Sequence, residues 1–154
     1  MKIIKGNLIT LAIAGEFDVI SHGCNCFCTM GAGIAPQMAK AFGADKFKME
    51  ELGYKGSFNK LGTIDFQYNR QYNVAVVNSY TQYGFGRNHE GGSKTPLDYV
   101  ALEMCMKKIN HEFKGTHVGL PWIGCGLAGG DKDRVAEILN RVLTDVELTI
   151  VELN

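Results

Sequence analysis

The chain has 154 residues, and 45% of them are hydrophobic, which is enough apolar material for one core but hardly for two. Sixteen basic residues balance sixteen acidic ones, so the net charge gives no reason to expect nucleic-acid backbone or an anionic membrane as a partner. The sequence also lacks an apolar run of membrane-spanning length and a signal-peptide core. We therefore expect one domain over residues 1–154, in a cytoplasmic, monomeric protein.

The N-terminal residues 2–11 carry apolar side chains on both sides of Gly6 and Asn7. This pattern predicts two short strands with a break between them that faces a ligand. A second apolar segment, Phe17 to Ile20, predicts a short buried strand that stops before Ser21.

Residues 21–35 (Ser-His-Gly-Cys-Asn-Cys-Phe-Cys-Thr-Met-Gly-Ala-Gly-Ile-Ala) connect this strand to a segment with helical apolar spacing. Gly31 and Gly33 permit positive φ and leave backbone N–H groups accessible at the start of the predicted helix, and Pro36 suits its first turn. We interpret the segment as an anion-binding elbow, although an ordinary strand-to-helix turn accounts for two glycines equally well. The glycine spacing matches neither a P-loop nor a Rossmann dinucleotide turn.

The middle of the chain predicts a further helix or irregular extension over residues 45–55, and then a β hairpin. Residues 61–68 alternate, residues 72–79 follow after a short polar turn, and Val74 to Val77 are contiguous apolar residues typical of a buried central strand. Residues 80–94 contain four glycines and no sustained period, which predicts a long loop.

The predicted loop carries side chains with two open interpretations. Tyr83 and Phe85 can cover a sugar or base, or pack on the edge of the core. His89, Glu90 and Lys94 are titratable, but on a glycine-rich loop such groups are usually just solvated.

The C-terminal third predicts a helix, a strand, a second helix and a last strand. Thr95 is the predicted N-cap of the first helix, whose apolar stripe extends to Ile109 and includes Met104 in the core. Residues 118–123 predict a strand that leads into a second glycine-rich junction at residues 124–131. Asp131 or Asp133 would cap the following helix, and residues 146–153 predict the final strand.

Alternating strands and helices, with one hairpin, predict an α/β fold: a three-layer α/β/α sandwich with a mixed central sheet. Ligands of such sheets bind beyond the strand ends. Two glycine-rich junctions after different strands can converge on one crevice and donate N–H groups to both halves of a diphosphate. A diphosphate-containing ligand is therefore the leading inference from the residues themselves.

The five cysteines form an odd set, and we interpret them as reduced thiols. His22 with Cys24, Cys26 and Cys28 invites a zinc interpretation, but the usual knuckle has two residues between its cysteines and a second ligand pair elsewhere. We expect neither a metal nor a cofactor.

Three motifs in order resemble those of the macrodomain proteins that bind ADP-ribose. Residues 5–8 (Lys-Gly-Asn-Leu) resemble the family's opening Lys-Gly-Asp/Asn, and residues 22–26 with 30–35 resemble its first ligand loop. Residues 120–131 (Leu-Pro-Trp-Ile-Gly-Cys-Gly-Leu-Ala-Gly-Gly-Asp) resemble its diphosphate loop. The resemblance spans nearly the whole chain and is strongest to the small single-domain ADP-ribose 1″-phosphate phosphatases, including the fungal type, and to the related protein ADP-ribose hydrolases.

The resemblance implies a role for particular residues. Asn7 would lie at the adenine, Asn25 would hold the distal ribose, and His22 aligns with a histidine implicated in catalysis in the fungal-type enzymes. The implied catalytic set is His22, Asn25 and Asp131. The implied ADP-ribose-binding set is Gly6, Asn7, Leu8, Asn25, Met30, Gly31, Ala32, Gly33, Ile34, Ala35, Thr81, Pro121, Ile123, Gly124, Cys125, Gly126, Leu127 and Ala128.

The expected function is hydrolysis of ADP-ribose 1″-phosphate to phosphate and ADP-ribose. One alternative is a non-catalytic reader or sponge for ADP-ribose, and another is a hydrolase that removes ADP-ribose from protein or nucleic acid. Members that release ADP-ribose from glutamate use a lysine and an aspartate where this chain has Thr81 and Ala128, which disfavours that chemistry. Asp98 is a further candidate carboxylate, and both Asp98 and Asp131 also suit helix starts.

Overall fold

The structure is a computed structural model that describes residues 1–47, 56–84 and 96–153. Within these ranges it has six strands, four α-helices and two short 3-10 turns. The strands are β1 (Lys2–Lys5), β2 (Val19–Asn25), β3 (Ile64–Asn69), β4 (Val74–Gln82), β5 (His117–Leu120) and β6 (Glu147–Glu152). The helices are α1 (Leu8–Ile13), α2 (Ala35–Phe42), α3 (Tyr99–Glu112) and α4 (Lys132–Val142), and the turns are Ala44–Lys46 and Phe58–Lys60.

The strands form one mixed sheet in the order β1-β6-β5-β2-β4-β3. All neighbouring pairs are parallel except β3 with β4, which is the predicted hairpin. Helices α1 and α2 pack on one face of the sheet, and α3 and α4 pack on the other. The predicted three-layer α/β/α sandwich with a mixed sheet is confirmed.

Two separate cores lie on the two sheet faces. The larger core joins the α3 and α4 side chains to β5 and inward residues such as Val77 and Ile150, and the smaller joins α1 and α2 to Ile20 and Val76. Because β4 contributes to both cores, all but its last residue are buried, as the contiguous valines predicted. None of the described helices is long and apolar enough to span a membrane.

The structure corrects two predictions in the N-terminal part of the chain. The predicted second strand at the N-terminus is α1 instead, because the Asn7 side chain accepts a hydrogen bond from the N–H of Thr10 and caps a helix there. Strand β2 does not stop before Ser21. It continues to Asn25, because residues 21–25 pair with β4.

The start and the exposed face of α3 also differ from the prediction. Its N-cap is Asp98, whose carboxylate accepts from the N–H of Ala101, rather than Thr95, which lies outside the described residues. Val100 is 71% exposed and Met104 is 42% exposed, so the predicted core position of Met104 is wrong, whereas Cys105 is buried. Most of the predicted 45–55 helix lies outside the described residues.

Candidate functional site

The two glycine-rich junctions follow neighbouring parallel strands. β2 pairs with β5 only through Val19 with Val118 and Ile20 with Gly119, after which the strands separate. From the carboxyl end of β2 the chain passes to α2 on one face, and from β5 it passes to α4 on the other. Such a switch in direction opens a crevice beyond the strand ends, where open α/β sheets bind ligands. The two junctions therefore start at the same carboxyl edge of the sheet, and their convergence on one crevice stays a prediction.

The first junction, residues 26–34, is shaped by Asn25. Its side-chain oxygen accepts from the N–H groups of Phe27 (3.0 Å) and Thr29 (3.2 Å), and its amide donates to the carbonyl of Thr29 (2.9 Å). Further along, a Cβ placed on Gly31 or Gly33 would have no described neighbour within 4 Å, and Gly33 has φ +62°. Asn25 thus fixes the turn, and the two glycines leave open space above the start of α2.

The second junction, residues 124–131, is folded tightly against Leu97. A Cβ on Gly124 would lie 2.6 Å from a Leu97 methyl group, and one on Gly130 would lie 2.5 Å from it. Gly124 also has φ +73°. A Cβ on Gly126, in contrast, meets no described atom within 4 Å, and Leu127 is 82% exposed. The junction therefore has one packed side and one open side.

The third predicted ligand segment, residues 6–8, lies at the carboxyl end of β1. The N–H of Gly6 donates to the carbonyl of Glu152 on β6 (2.8 Å). Leu8 is buried, and the Asn7 side chain is occupied as the α1 cap. Because the cap uses the Asn7 oxygen, the amide nitrogen is the part of this side chain that is left to contact a ligand.

His22 lies within β2, not after it, and its side chain is fully buried. Its Nε2 is 2.7 Å from Asn78 Oδ1 on β4 and 3.4 Å from Cys24 Sγ. Burial lowers the pKa of His22 to about 4, although the hydrogen bond to Asn78 partly opposes this shift. The ring is therefore neutral near pH 7, and its Nε2 faces Asn78 on the neighbouring strand.

A buried hydroxyl, that of Thr81, lies beside Gly23. Thr81 is fully buried, and its Oγ1 has no hydrogen-bond partner among the described residues. A Cβ on Gly23 would lie 2.8 Å from this oxygen and 2.9 Å from Ile123. Position 23 therefore has room only for glycine, because the Thr81 side chain packs closely against β2 there.

The two candidate aspartates in the described ranges both cap helices. Asp131 Oδ1 accepts from the N–H groups of Asp133 (2.8 Å) and Arg134 (3.4 Å) at the start of α4, as predicted. Asp98 caps α3 in the same way. Among the residues of the predicted 80–94 loop, Phe85, His89, Glu90 and Lys94 lie outside the described residues, and Tyr83 is 9% exposed, in contact with Phe27 and Phe58.

The five cysteines are reduced thiols, as predicted. Burial raises the pKa of Cys26 to about 12 and also raises the pKa of Cys24, so these thiols stay protonated near pH 7 and are poor nucleophiles. No group of three or more His, Cys, Asp and Glu side chains suited to a metal ion occurs in the described part of the chain.

Two long-range contacts near the site could not be predicted from the sequence. The Tyr99 hydroxyl accepts from the N–H of Asp131 (3.0 Å), and the Trp122 indole donates to Glu152 (2.6 Å), which also pairs with Lys5 (3.0 Å). Both join residues 30 or more positions apart. The segment at the start of α3 was interpreted as a helix start with Asp98 as a candidate carboxylate, and no local pattern marks its contact with the second junction.

No family model matches the chain. A 17.5 kDa protein of the tk-vs intergenic region of Enterobacteria phage T4 is 35% identical over 99% of this chain and 96% of its own length. The ADP-ribose 1″-phosphate phosphatase of Candida albicans is 27% identical over 84% of this chain and 85% of its own.

Solved structures have the same fold over nearly the entire chain. A Bacteroides thetaiotaomicron protein of unknown function matches with a TM-score of 0.73 and 26% identity, covering 99% of this chain and 98% of its own. The macrodomain of Mycobacterium tuberculosis DarG matches with a TM-score of 0.72 and 18% identity over 97% and 95%. Thermosipho africanus DarTG in complex with ADP-ribose matches with a TM-score of 0.67 and 16% identity, covering all of this chain and 42% of its own. The present chain therefore belongs to one family with the phage T4 protein, and it has the macrodomain fold.

Proposed function

We propose that this chain binds ADP-ribose and hydrolyses ADP-ribose 1″-phosphate. The observation that carries the proposal is the pair of glycine-rich junctions after β2 and β5, at the point where the sheet's connections reverse direction. Their open glycines, Gly31 and Gly33 before α2 and Gly126 in the loop before α4, leave room for a diphosphate to approach the backbone N–H groups. The 27% identity to a phosphatase of that name supports the finer assignment.

In the proposed complex, residues 31–35 and 124–128 bind the diphosphate, and the adenosine lies toward Asn7. The distal ribose then lies near the carboxyl end of β2, beside the turn that Asn25 holds. Water would attack phosphorus at the 1″ position, and the ribose oxygen would leave with a proton. Backbone N–H groups would stabilise the negative charge that develops on the phosphoryl oxygens.

His22 enters this proposal as a positioning residue. Its neutral ring, bonded to Asn78, holds β2 against β4 three residues before Asn25. A proton donor would need access to the phosphoryl group and a pKa near the working pH, and burial removes both properties from His22. Asp131 is proposed as a helix cap that ends the second junction.

A second candidate function, a non-catalytic ADP-ribose reader, is favoured by one specific observation. The three described candidates for proton transfer are all engaged elsewhere: His22 with Asn78, Asp98 with the start of α3, and Asp131 with the start of α4. A reader needs the two glycine-rich junctions and none of these groups.

One experiment separates the candidates. The protein is incubated with ADP-ribose 1″-phosphate and, in parallel, with ADP-ribosylated protein, and free phosphate and free ADP-ribose are measured. Phosphate release supports the phosphatase, release of ADP-ribose from protein supports a hydrolase, and binding without either product supports the reader.

Calorimetry tests the ligand itself. We expect a Kd for ADP-ribose in the micromolar range, which corresponds to a binding free energy of about 8 kcal/mol. Adenosine, which lacks the diphosphate, should bind much more weakly. In the control variant Gly33→Val, the new side chain occupies the open space and resists the positive φ, so binding should disappear. Equal affinities for ADP-ribose and adenosine would contradict the diphosphate assignment.

A further inference from the structure

Residues 97–99, which we call the bracket, contact the second glycine-rich junction at three points. The N–H of Leu97 donates to the carbonyl of Ala128 (3.2 Å). The Leu97 side chain occupies the space that a Cβ on Gly124 or Gly130 would need. The Tyr99 hydroxyl accepts from the N–H of Asp131 (3.0 Å). The bracket thus holds the beginning, the middle and the end of the junction.

The bracket is itself fixed to the sheet and to both helices on that face. The N–H of Asp98 donates to the carbonyl of Thr81 at the end of β4 (2.9 Å), and the Asp98 side chain caps α3. The guanidinium of Arg134, in the first turn of α4, lies 3.8 Å from the centre of the Tyr99 ring. Leu97 is 1% exposed. Because the bracket is fixed in this way, its contacts restrict the motion of the second junction.

This arrangement matters because the junction's backbone, rather than its side chains, would contact a diphosphate. Gly124 and Gly129 both have φ +73°, so several conformations are open to the segment when nothing holds it. A loop already fixed in the binding conformation loses less entropy when the ligand binds, and its N–H dipoles need no reorientation.

We propose that Leu97 and Tyr99 are positioning residues that hold residues 124–131 in the conformation that receives the diphosphate. The proposal rests on the proposed function for the identity of the ligand. It adds that affinity for the diphosphate is set in part by two side chains of the bracket that need not contact the ligand.

The first test is Tyr99→Phe, which removes the hydroxyl acceptor and keeps the ring beside Arg134. We expect the Kd for ADP-ribose to rise about tenfold, which corresponds to the loss of one hydrogen bond near 1.4 kcal/mol, while the affinity for adenosine stays unchanged. Tyr68→Phe is the matched control, because Tyr68 is 56% exposed on β3 and should alter neither value. Equal losses for ADP-ribose and adenosine would indicate a merely structural role and overturn the proposal.

Leu97 provides the second test. Leu97→Ala should weaken ADP-ribose binding at least tenfold, and Leu97→Met, which refills most of the volume, should restore it. A Leu97→Ala protein that is folded and binds ADP-ribose as the wild type does would contradict the proposal.

Hydrogen exchange of residues 124–131 without ligand separates this proposal from the proposed function. We expect faster exchange in Tyr99→Phe than in the wild type or Tyr68→Phe. If the wild type binds no ADP-ribose, the proposed function fails, and exchange alone then decides whether the bracket holds the loop. Unchanged exchange, or faster exchange with wild-type ADP-ribose affinity, would overturn the positioning role.

Discussion

His22 and Asn78 face each other across β2 and β4, with Nε2 2.7 Å from Oδ1. Asn78 donates its amide hydrogen to the carbonyl of Ala44 (2.8 Å), so its oxygen must be the atom that faces the histidine. The network therefore assigns the proton to Nε2 of a neutral ring. Asn78 thus links β2, through His22, to the turn after α2, through Ala44.

We expect this buried histidine to make folding stability depend on pH. Its pKa is about 4 in the folded protein and 6.5 when unperturbed, so the unfolded state binds more protons between these values. The stabilisation by neutral His22 is complete above pH 6.5 and is lost as the pH falls through about 4. The free energy of unfolding should therefore fall by on the order of 3 kcal/mol between pH 6.5 and pH 4.

Urea unfolding at pH 7.5 and pH 4.5 checks this dependence. His22→Gln, which can still donate to Asn78, should show a smaller loss of stability between the two values than the wild type. Parallel pH profiles for the two proteins would show that His22 is not the titrating group.

The glycines of the second junction should separate into two classes. Gly126→Ala adds a methyl group on the open side, so the free energy of unfolding should change by less than about 0.5 kcal/mol while ADP-ribose affinity falls at least tenfold. Gly124→Ala forces a methyl group against Leu97 at φ +73° and should destabilise the fold by about 1 to 3 kcal/mol. Thermal unfolding and calorimetry on both variants measure this, and a normal affinity in Gly126→Ala would place the diphosphate elsewhere.

Thr81→Val should stabilise the protein by about 1 kcal/mol. The substitution keeps the shape of the side chain and removes a buried hydroxyl without a hydrogen-bond partner among the described residues. Chemical denaturation gives the free energy, and Thr149→Val is a useful comparison, since the Thr149 hydroxyl is buried and hydrogen-bonded to His117, so this variant should be less stable than the wild type. A stable Thr81→Val protein with weakened ADP-ribose binding would show that a ligand uses the hydroxyl after all.

Substitution of Asp131 distinguishes a cap from a catalytic carboxylate. Asparagine caps helices as well as aspartate, so Asp131→Asn should retain both stability and phosphate release, whereas Asp131→Ala should lose about 1 kcal/mol of stability. Melting temperature and phosphate release are measured on the same preparations. A stable Asp131→Asn protein that releases no phosphate would return Asp131 to the catalytic set.

Local signals in the sequence determined most of the elements. The contiguous valines of β4 predicted a strand buried on both faces, and Asp131 before a regular apolar stripe predicted the start of α4. Each signal depends on neighbours within a few residues, through side-chain periodicity or a cap, so it is readable without the fold. The glycine-rich junctions were found in the same way.

Only the tertiary structure decided which of these residues come together. Ser21 to Asn25 looked like part of a loop, yet they pair with β4, which buries His22 inside the strand. Asn7 looked like a break between strands, and its bond to Thr10 made it a helix cap. The contact of Tyr99 with Asp131 spans 32 positions of the chain and leaves no periodic trace. Pairing partners and long-range hydrogen bonds depend on how the layers pack, and that information is distributed over the whole sequence rather than written in any one segment.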